Sequence, residues 1–185
     1  MNVRFTRAFG SMKESPPPKH SNNRTKILYP YNFNVRNIDQ YQTRNFVSSI
    51  KKYFNIAYYP CKLDTDYDKG FNYMLSLNET FLIIEQDIVP TYEQLIEMIE
   101  CKEPICVANY KLYPTSTALK TPVLAHRNNM KFISPSDTTA ELYGLGLVKF
   151  SKSVLPLLKD HESGTWNTLD TRISQLTNSK GYKAH

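Results

Sequence analysis

Long apolar runs are missing from this chain of 185 residues. None approaches the roughly 20 apolar residues that a helix needs to cross a bilayer. The N-terminus is basic, but it also lacks the apolar stretch of a secretory signal. We therefore expect no membrane span and a location in the cytoplasm.

Cysteine is scarce, with Cys61, Cys101 and Cys106 as the three examples. Their number is odd and their spacing does not match a zinc site. Cys101 and Cys106 flank a short turn, Lys102-Glu103-Pro104, between a helical and a strand-like segment. The sequence therefore predicts three reduced cysteines in or near the core.

Several nucleotide- and cation-binding signatures are also absent. No Gly-x-x-x-x-Gly-Lys-Ser/Thr loop occurs, which argues against a P-loop nucleotide triphosphatase. The pair Gly144 and Gly146 lies late in the chain and lacks the third glycine of a dinucleotide fingerprint. The acidic loop 64–70 has Leu75 where a calcium loop needs a bidentate glutamate, which argues against an EF-hand.

Basic residues are in excess, and the formal net charge is +6. Part of the excess lies in residues 1–25, which contain Pro16-Pro17-Pro18 and little that could be buried. We interpret residues 1–25 as a flexible, basic, proline-rich tail and residues 26–185 as one folded domain. The positive charge favours partners that carry phosphate, whether nucleic acid or a nucleotide-linked substrate.

Apolar patterns alternate between strand and helix from Lys26 onward. Short apolar runs indicate buried strands, and apolar residues at helical spacing indicate helices between them. The predicted strands are 27–29, 56–59, 81–84, 105–108 and 143–150, with Pro30 and Pro60 closing the first two. The predicted helices begin at the caps Asn37 and Thr91, around Phe71, and near Leu169. The pattern predicts an α/β domain whose central sheet is mostly parallel and flanked by helices, as in Rossmann-like folds.

The triplet Glu85-Gln86-Asp87 follows the apolar run Phe81–Ile84. Ligands of open α/β sheets bind beyond the carboxyl ends of the strands, where this triplet lies. Residues two positions apart in an extended chain leave on the same side, so the two carboxylates converge. A cation such as Mg²⁺ or Mn²⁺ between them would relieve their repulsion. The alternative is an acidic turn before the helix at Thr91.

The segment Phe81–Pro90 resembles the metal-binding strand end of nucleotide-sugar glycosyltransferases with the GT-A fold. Their signature is Asp-x-Asp, with Glu-x-Asp among its variants. The resemblance implies that Asp87 binds metal directly, while Glu85 contacts the ribose or reaches the metal through water. It also implies a GT-A-like domain over residues 26–185 that requires Mn²⁺ or Mg²⁺.

Other segments follow in the order that this family requires. Residues 26–32 resemble the first strand and the nucleotide-receiving loop, which assigns Pro30 and Tyr31 to the nucleotide-sugar site. Residues 69–72 are similar to a Gly-x-x-x-Asn region, although the spacing is compressed, and bring Lys69 into the same site. An acid of the preceding loop, for which we take Asp66, would contact the base or the ribose.

Two further roles come from the resemblance. Residues 144–147 and 166–170 are similar to the acceptor-side strand and a helix start that bears the catalytic base, Asp170. An acid in the first helical turn is stabilised in its charged form, as a base must be. Gly181-Tyr182-Lys183-Ala184-His185 resembles a late segment whose histidine completes the metal site. The alternatives are an ordinary first-turn acid and a terminal histidine without a role.

The function implied is transfer of a sugar from a nucleotide-diphosphate donor to a hydroxyl of a glycan or protein acceptor. A single base and no second nucleophile favour inversion. The short chain resembles the small glycosyltransferases encoded by viruses, for which the location would be the host cytoplasm. The alternative class is a basic nucleic-acid-binding protein, or a metal-dependent nuclease built on the paired acids. A nucleic-acid partner explains the charge but not the acids, which repel phosphate without a cation.

Overall fold

The structure is a computed structural model, and it describes residues 4–5, 25–32, 38–63, 65–109, 111–113, 123–124, 127–128, 131–132, 138–164 and 168–185. The strands are Arg4–Phe5 (β1), Lys26–Tyr31 (β2), Asn55–Pro60 (β3), Phe81–Ile84 (β4), Ile105–Val107 (β5), Lys111–Tyr113 (β6), Val123–Leu124 (β7), Arg127–Asn128 (β8), Lys131–Phe132 (β9) and Leu147–Phe150 (β10). The helices are Ile38–Ile50 (α1), Asp66–Ser76 (α2), Tyr92–Glu100 (α3), Leu155–Leu158 (α4) and Leu169–Ser179 (α5).

The central sheet has five strands in the order β3-β2-β4-β10-β5. β2 pairs in parallel with β3 and β4, and β10 runs antiparallel to both β4 and β5. The prediction of a mostly parallel sheet in an α/β fold is therefore confirmed. The strand predicted over 143–150 is shorter than expected and is the one that reverses direction.

Helices cover both faces of this sheet. Alternate residues of the strands pack against α2, α4 and α5 on one face and against α1 and α3 on the other. Leu28 and Ile83 face the first group, while Ile27 and Leu82 face the second. Because both faces are buried, β4 is a continuous apolar run rather than an alternating one.

The chain leaves β2 through α1 to reach β3, then returns through α2 to reach β4 on the other side of β2. α1 and α2 lie on opposite faces of the sheet. The carboxyl ends of β2 and β4 therefore lie at a topological switch point, where open α/β sheets bind ligands. The triplet Glu85-Gln86-Asp87 comes directly after β4 at this point.

Pro30 lies within β2, which continues to Tyr31, whereas Pro60 is the last residue of β3 and closes that strand as predicted. Pairing of β2 with β4 stops at Leu28, so the missing N–H of Pro30 costs no hydrogen bond on that side. Pro60 lies in β3 at the edge of the sheet, where a missing donor is tolerated.

The prediction that all cysteines are reduced is wrong for two of them. Cys101 and Cys106 form a disulfide, with Cα atoms 6.7 Å apart, whereas Cys61 is free and buried. The turn 102–104 brings the end of α3 back beside the start of β5, which places the two sulfurs in contact. Spacing alone does not reveal this return of the chain.

Of the predicted helix caps, one is confirmed and the other lies outside the described residues. Thr91 caps α3 in a capping box with Gln94, as the sequence predicts. Asn37 lies outside the described residues, as does most of the predicted tail, of which Arg4–Phe5 forms β1 against β6. Within the described ranges, no helix combines the length and the apolar character that a bilayer crossing requires.

Candidate functional site at the carboxyl end of the central sheet

The acidic triplet forms a tight turn at the end of β4. The backbone N–H of Glu85 donates to the carbonyl of Gly146 at 2.8 Å and so continues the pairing of β4 with β10 by one residue. The N–H of Ile88 then donates to the carbonyl of Glu85 at 3.1 Å, which turns the chain. Glu85 and Asp87 are partly buried, and Oδ1 of Asp87 is fully so. The triplet thus lies at the carboxyl end of the central strand, partly shielded from solvent.

Glu85 is the acid whose environment is most unusual. Its Oε1 accepts a hydrogen bond of 2.6 Å from the hydroxyl of Tyr67, a residue of α2 that is 1% exposed. Burial, followed by the negative charges of Asp87 and Asp170, raises the pKa of Glu85 to about 8, although the Tyr67 hydrogen bond opposes the shift. The cause is an accumulation of carboxylates in a poorly solvated place.

Asp170 lies in the first turn of α5, as predicted. Its Oδ1 accepts a hydrogen bond of 2.6 Å from the N–H of Thr171. The helix start was expected to hold Asp170 in its charged form. Burial instead raises the pKa of Asp170, and the hydrogen bonds from Thr171 reduce the shift without reversing it. The structure therefore brings Asp170 within electrostatic range of Glu85. Burial of Asp170 outweighs the stabilisation of its charge that the helix start was expected to provide.

Gln86, the middle residue of the triplet, is buried and connects the segments that follow β2 and β4 through a hydrogen bond. Its Oε1 accepts a hydrogen bond of 2.6 Å from the N–H of Asn32, directly after β2. This contact bridges the switch point between β2 and β4. Sequence reasoning treated Gln86 as a spacer and missed Tyr67 altogether. The position of Tyr67 on the apolar stripe of α2, with Phe71 and Met74, was the available signal.

Pro30 and Tyr31 lie at the end of β2, close to the loop that Gln86 holds. The ring of Tyr31 stacks on Tyr29 with centroids 5.7 Å apart, and its carbonyl accepts a hydrogen bond from the N–H of Cys61 at 2.7 Å. Both predicted nucleotide-sugar residues are therefore at the expected edge of the sheet. Their contact with a nucleotide stays a prediction.

Asp66 and Lys69 lie at the start of α2 and bind each other. Oδ2 of Asp66 accepts the N–H groups of Lys62 and Leu63, each at 2.9 Å, and Oδ1 accepts Nζ of Lys69 at 2.9 Å. These donors, with Lys69 first, lower the pKa of Asp66 to about 2. Such contacts favour a structural role for Asp66, and its predicted contact with a nucleotide is untested.

His185 lies at the outer edge of β5. Its N–H donates to the carbonyl of Ile105 at 3.0 Å, and its carbonyl accepts from Val107 at 2.8 Å. β10 and β5 stand between the backbone of His185 and β4, a separation of about 14 Å at the usual spacing of strands. The structure thus places His185 apart from the three acids, and its role in a metal site remains a prediction.

The acids fit a cation that is shared with a ligand rather than held by protein alone. Among the described residues, no group of three or more His, Cys, Asp or Glu side chains is arranged to enclose a metal ion. Mg²⁺ needs fewer protein ligands, since one or two carboxylates together with substrate phosphates and waters commonly bind it. The mutual repulsion of Glu85 and Asp87 is the electrostatic condition that such a cation relieves.

Comparisons with known proteins concern the fold. No protein-family model matches the chain, and no curated protein matches its sequence. A solved structure described as the crystal structure of A197 from STIV is similar, with a TM-score of 0.54 and 13% identity. The alignment covers 88% of this chain and 81% of that one. At such identity the similarity shows a shared α/β architecture alone.

Proposed function

We propose that the protein is a metal-dependent glycosyltransferase of the GT-A type. It moves a sugar from a nucleotide-diphosphate donor to a hydroxyl of a glycan or protein acceptor. The observation that carries the proposal is the burial of Glu85 at the carboxyl end of β4, which together with the negative charges of Asp87 and Asp170 raises the pKa of Glu85 to about 8. Strongly shifted acids at a switch point are typical of functional sites, because folding alone gains nothing from gathering like charges.

Asp87 and Glu85 are the residues that would hold the divalent cation. When bound, Mn²⁺ or Mg²⁺ supplies neutralisation of the negative charge that develops on the leaving diphosphate. Tyr67 orients Glu85 through its hydroxyl. Gln86 fixes the loop after β2, next to Pro30 and Tyr31, for the nucleotide.

Asp170 accepts the proton of the acceptor hydroxyl as that oxygen attacks the anomeric carbon. A base must lie near the reacting hydroxyl and have a pKa close to the working pH. The raised pKa of Asp170 makes it a stronger base than an exposed aspartate. With one base and no second nucleophile in the scheme, the reaction is a single displacement with inversion.

Calorimetric titration with uridine and guanosine diphosphate, with and without Mn²⁺, tests this proposal. We expect one of the diphosphates to bind only with Mn²⁺, and Asp87→Ala to remove that binding. Asp160→Asn is the matched control, because Asp160 is an exposed acid in the segment after α4. Binding of duplex DNA or RNA that ignores Mn²⁺, together with no diphosphate binding, would overturn the proposal. Metal-dependent cleavage of nucleic acid would indicate the nuclease instead.

A further inference from the structure

The disulfide between Cys101 and Cys106 lies beside a buried lysine. Cys101 directly follows α3, Cys106 is the middle residue of β5, and the bridge closes the turn between them. Lys149 of β10 is directly opposite Cys106 in the antiparallel pairing of the two strands, so both side chains leave on the same face of the sheet. Nζ of Lys149 donates a hydrogen bond to the backbone carbonyl of Cys101. The ammonium group is therefore adjacent to the bridge.

The charge of Lys149 is costly to bury at this place. The residue is 3% exposed, and burial lowers the pKa of its ammonium group, with Glu103 opposing the shift. An ammonium has three donors, and among the described residues the Cys101 carbonyl is the acceptor that Nζ reaches. Glu103 is exposed, so water screens its charge. Within the described part of the chain, Lys149 thus has no buried counter-charge while the bridge is closed.

Opening the bridge would supply that counter-charge. An ammonium group next to a cysteine stabilises the thiolate relative to the thiol. Cys101 is the residue that would carry the thiolate, because its own carbonyl holds Nζ and because it is partly exposed. Cys106 is buried, and its Sγ lies 3.6 Å from the carbonyl oxygen of Glu103, which can accept from a thiol. Burial and this acceptor favour a neutral thiol at Cys106.

The bridge is poorly placed to act as a structural link alone. It joins residues five positions apart, and a disulfide stabilises a fold least when the loop that it closes is short. A chain of 185 residues with a sheet buried on both faces also has less need of disulfides than a small domain. Neither the short loop nor the large core explains why the bridge stands beside a buried cation.

We propose that Cys101 and Cys106 form a site of reversible thiol–disulfide exchange, in which Lys149 stabilises the reduced state. The reaction partner is a dithiol in one direction and a small disulfide in the other. The site does not depend on the proposed sugar transfer, because it uses none of Glu85, Asp87 and Asp170.

A dithiol reduces the bridge in two steps. Its thiolate bonds to Sγ of Cys101 as the bond between Cys101 and Cys106 breaks, and Cys106 leaves as a thiolate that takes up a proton. The second sulfur of the dithiol loses its proton and bonds to the first, and Cys101 leaves as a thiolate beside Lys149. The dithiol is oxidised by two electrons to a disulfide, the protein is reduced by two, and one proton is released overall. A small disulfide reverses these steps.

Equilibration of the full chain with mixtures of reduced and oxidised dithiothreitol tests the site. Acid quenching, alkylation and mass spectrometry measure the fraction of closed bridge. Lys149→Gln keeps a hydrogen-bond donor but loses the charge, and should need about tenfold more of the reduced form for half reduction. Lys149→Met, a second neutral variant of similar length, should show the same change. Lys152→Gln is the matched control, because Lys152 is exposed just beyond β10, and should behave as the wild type.

Alkylation of the reduced protein by iodoacetamide at pH 7 is an independent measurement. Cys101 should react about tenfold faster than Cys106, and Lys149→Gln should remove most of that difference. Cys61 is an internal control for a slow thiol, since burial, followed by the charge of Asp66, raises its pKa to about 12.

Five results would each overturn the proposal. They are equal half-reduction in the wild type and Lys149→Gln, a change in Lys149→Met alone, a bridge that does not form in oxidised dithiothreitol, a bridge that stays closed in the folded protein at high reduced dithiothreitol, and a Cys101 that reacts no faster than Cys61.

Discussion

Asp66 and Glu85 are two acids that interact with the same buried thiol, yet their ionisation is affected in opposite ways. After burial itself, both carboxylates contribute to raising the pKa of Cys61 to about 12. The pKa of Asp66 is lowered to about 2, whereas that of Glu85 is raised to about 8. The difference lies first in burial, which raises the pKa of Glu85, and then in the partners of the two acids. Asp66 has Lys69 and two backbone amides, while Glu85 has one hydroxyl and two other acids.

This contrast distinguishes a structural acid from a candidate functional one. The donors around Asp66 stabilise the start of α2, and its charge is fully compensated within the fold. Glu85 is instead buried beside other acids, an arrangement that costs stability unless a cation or a reaction uses it.

The largest expected effect is on catalysis by Asp170. Asp170→Asn removes the base, so sugar transfer should slow by about 10²–10⁴-fold, the usual contribution of a general base. Because burial raises the pKa of Asp170, the wild-type rate should increase with pH as the carboxylate forms. Steady-state assays over a pH series measure both effects. Diphosphate binding should persist in the variant, and an unchanged rate would exclude Asp170 as the base.

A second effect concerns stability against pH in the absence of divalent cations. The folded protein holds a proton on Glu85 up to about pH 8, while the unfolded chain loses it near pH 4.5. The folded state therefore binds more protons between these values, and stability should fall as pH rises through this window. In Glu85→Gln this decrease in the free energy of unfolding, on the order of a few kcal/mol, should be absent. Urea unfolding at pH 5 and pH 8.5, with chelator, compares the two proteins. Parallel pH dependence would show that Glu85 is an ordinary acid.

Tyr67→Phe is a smaller change to the same group. It removes the hydrogen bond to Glu85 and should cost about 1–2 kcal/mol of unfolding free energy. The loss should be greatest at high pH, where Glu85 is charged and depends most on the donor. Tyr73→Phe on the same helix is the control, since Tyr73 is 49% exposed. Equal losses in the two variants would argue against the role of Tyr67.

Much of the fold is predictable from sequence, because a strand that is buried on both faces appears in the sequence as a short continuous run of apolar residues. The apolar run Phe81–Ile84 predicted β4 to the residue, and the Thr91 capping box predicted the start of α3. The reversed direction of β10 was not predictable, since a buried strand has the same apolar pattern in either direction. The disulfide was missed for a related reason, because it depends on a turn in space.

The candidate site was predictable only in part. Two acids after a buried strand indicated a functional edge, and the first-turn position of Asp170 indicated a second contributor. Burial raises the pKa of Asp170, whereas its position at the helix start predicted a stabilised charge. Burial depends on the tertiary structure and is not visible in the local sequence. Tyr67 and Gln86 carry no signature by themselves, since their importance comes from contacts with residues 18 and 54 positions away.

Binding of Mn²⁺ itself tests the central contrast most directly. Electron paramagnetic resonance of Mn²⁺, in the presence of whichever nucleoside diphosphate binds, compares the wild type with Asp87→Asn and Asp66→Asn. We predict that Asp87→Asn loses the bound Mn²⁺ signal and that Asp66→Asn keeps it within about twofold of the wild type, because hydrogen bonds within the fold already occupy Asp66. Loss of the signal in Asp66→Asn, or its full retention in Asp87→Asn, would contradict the account.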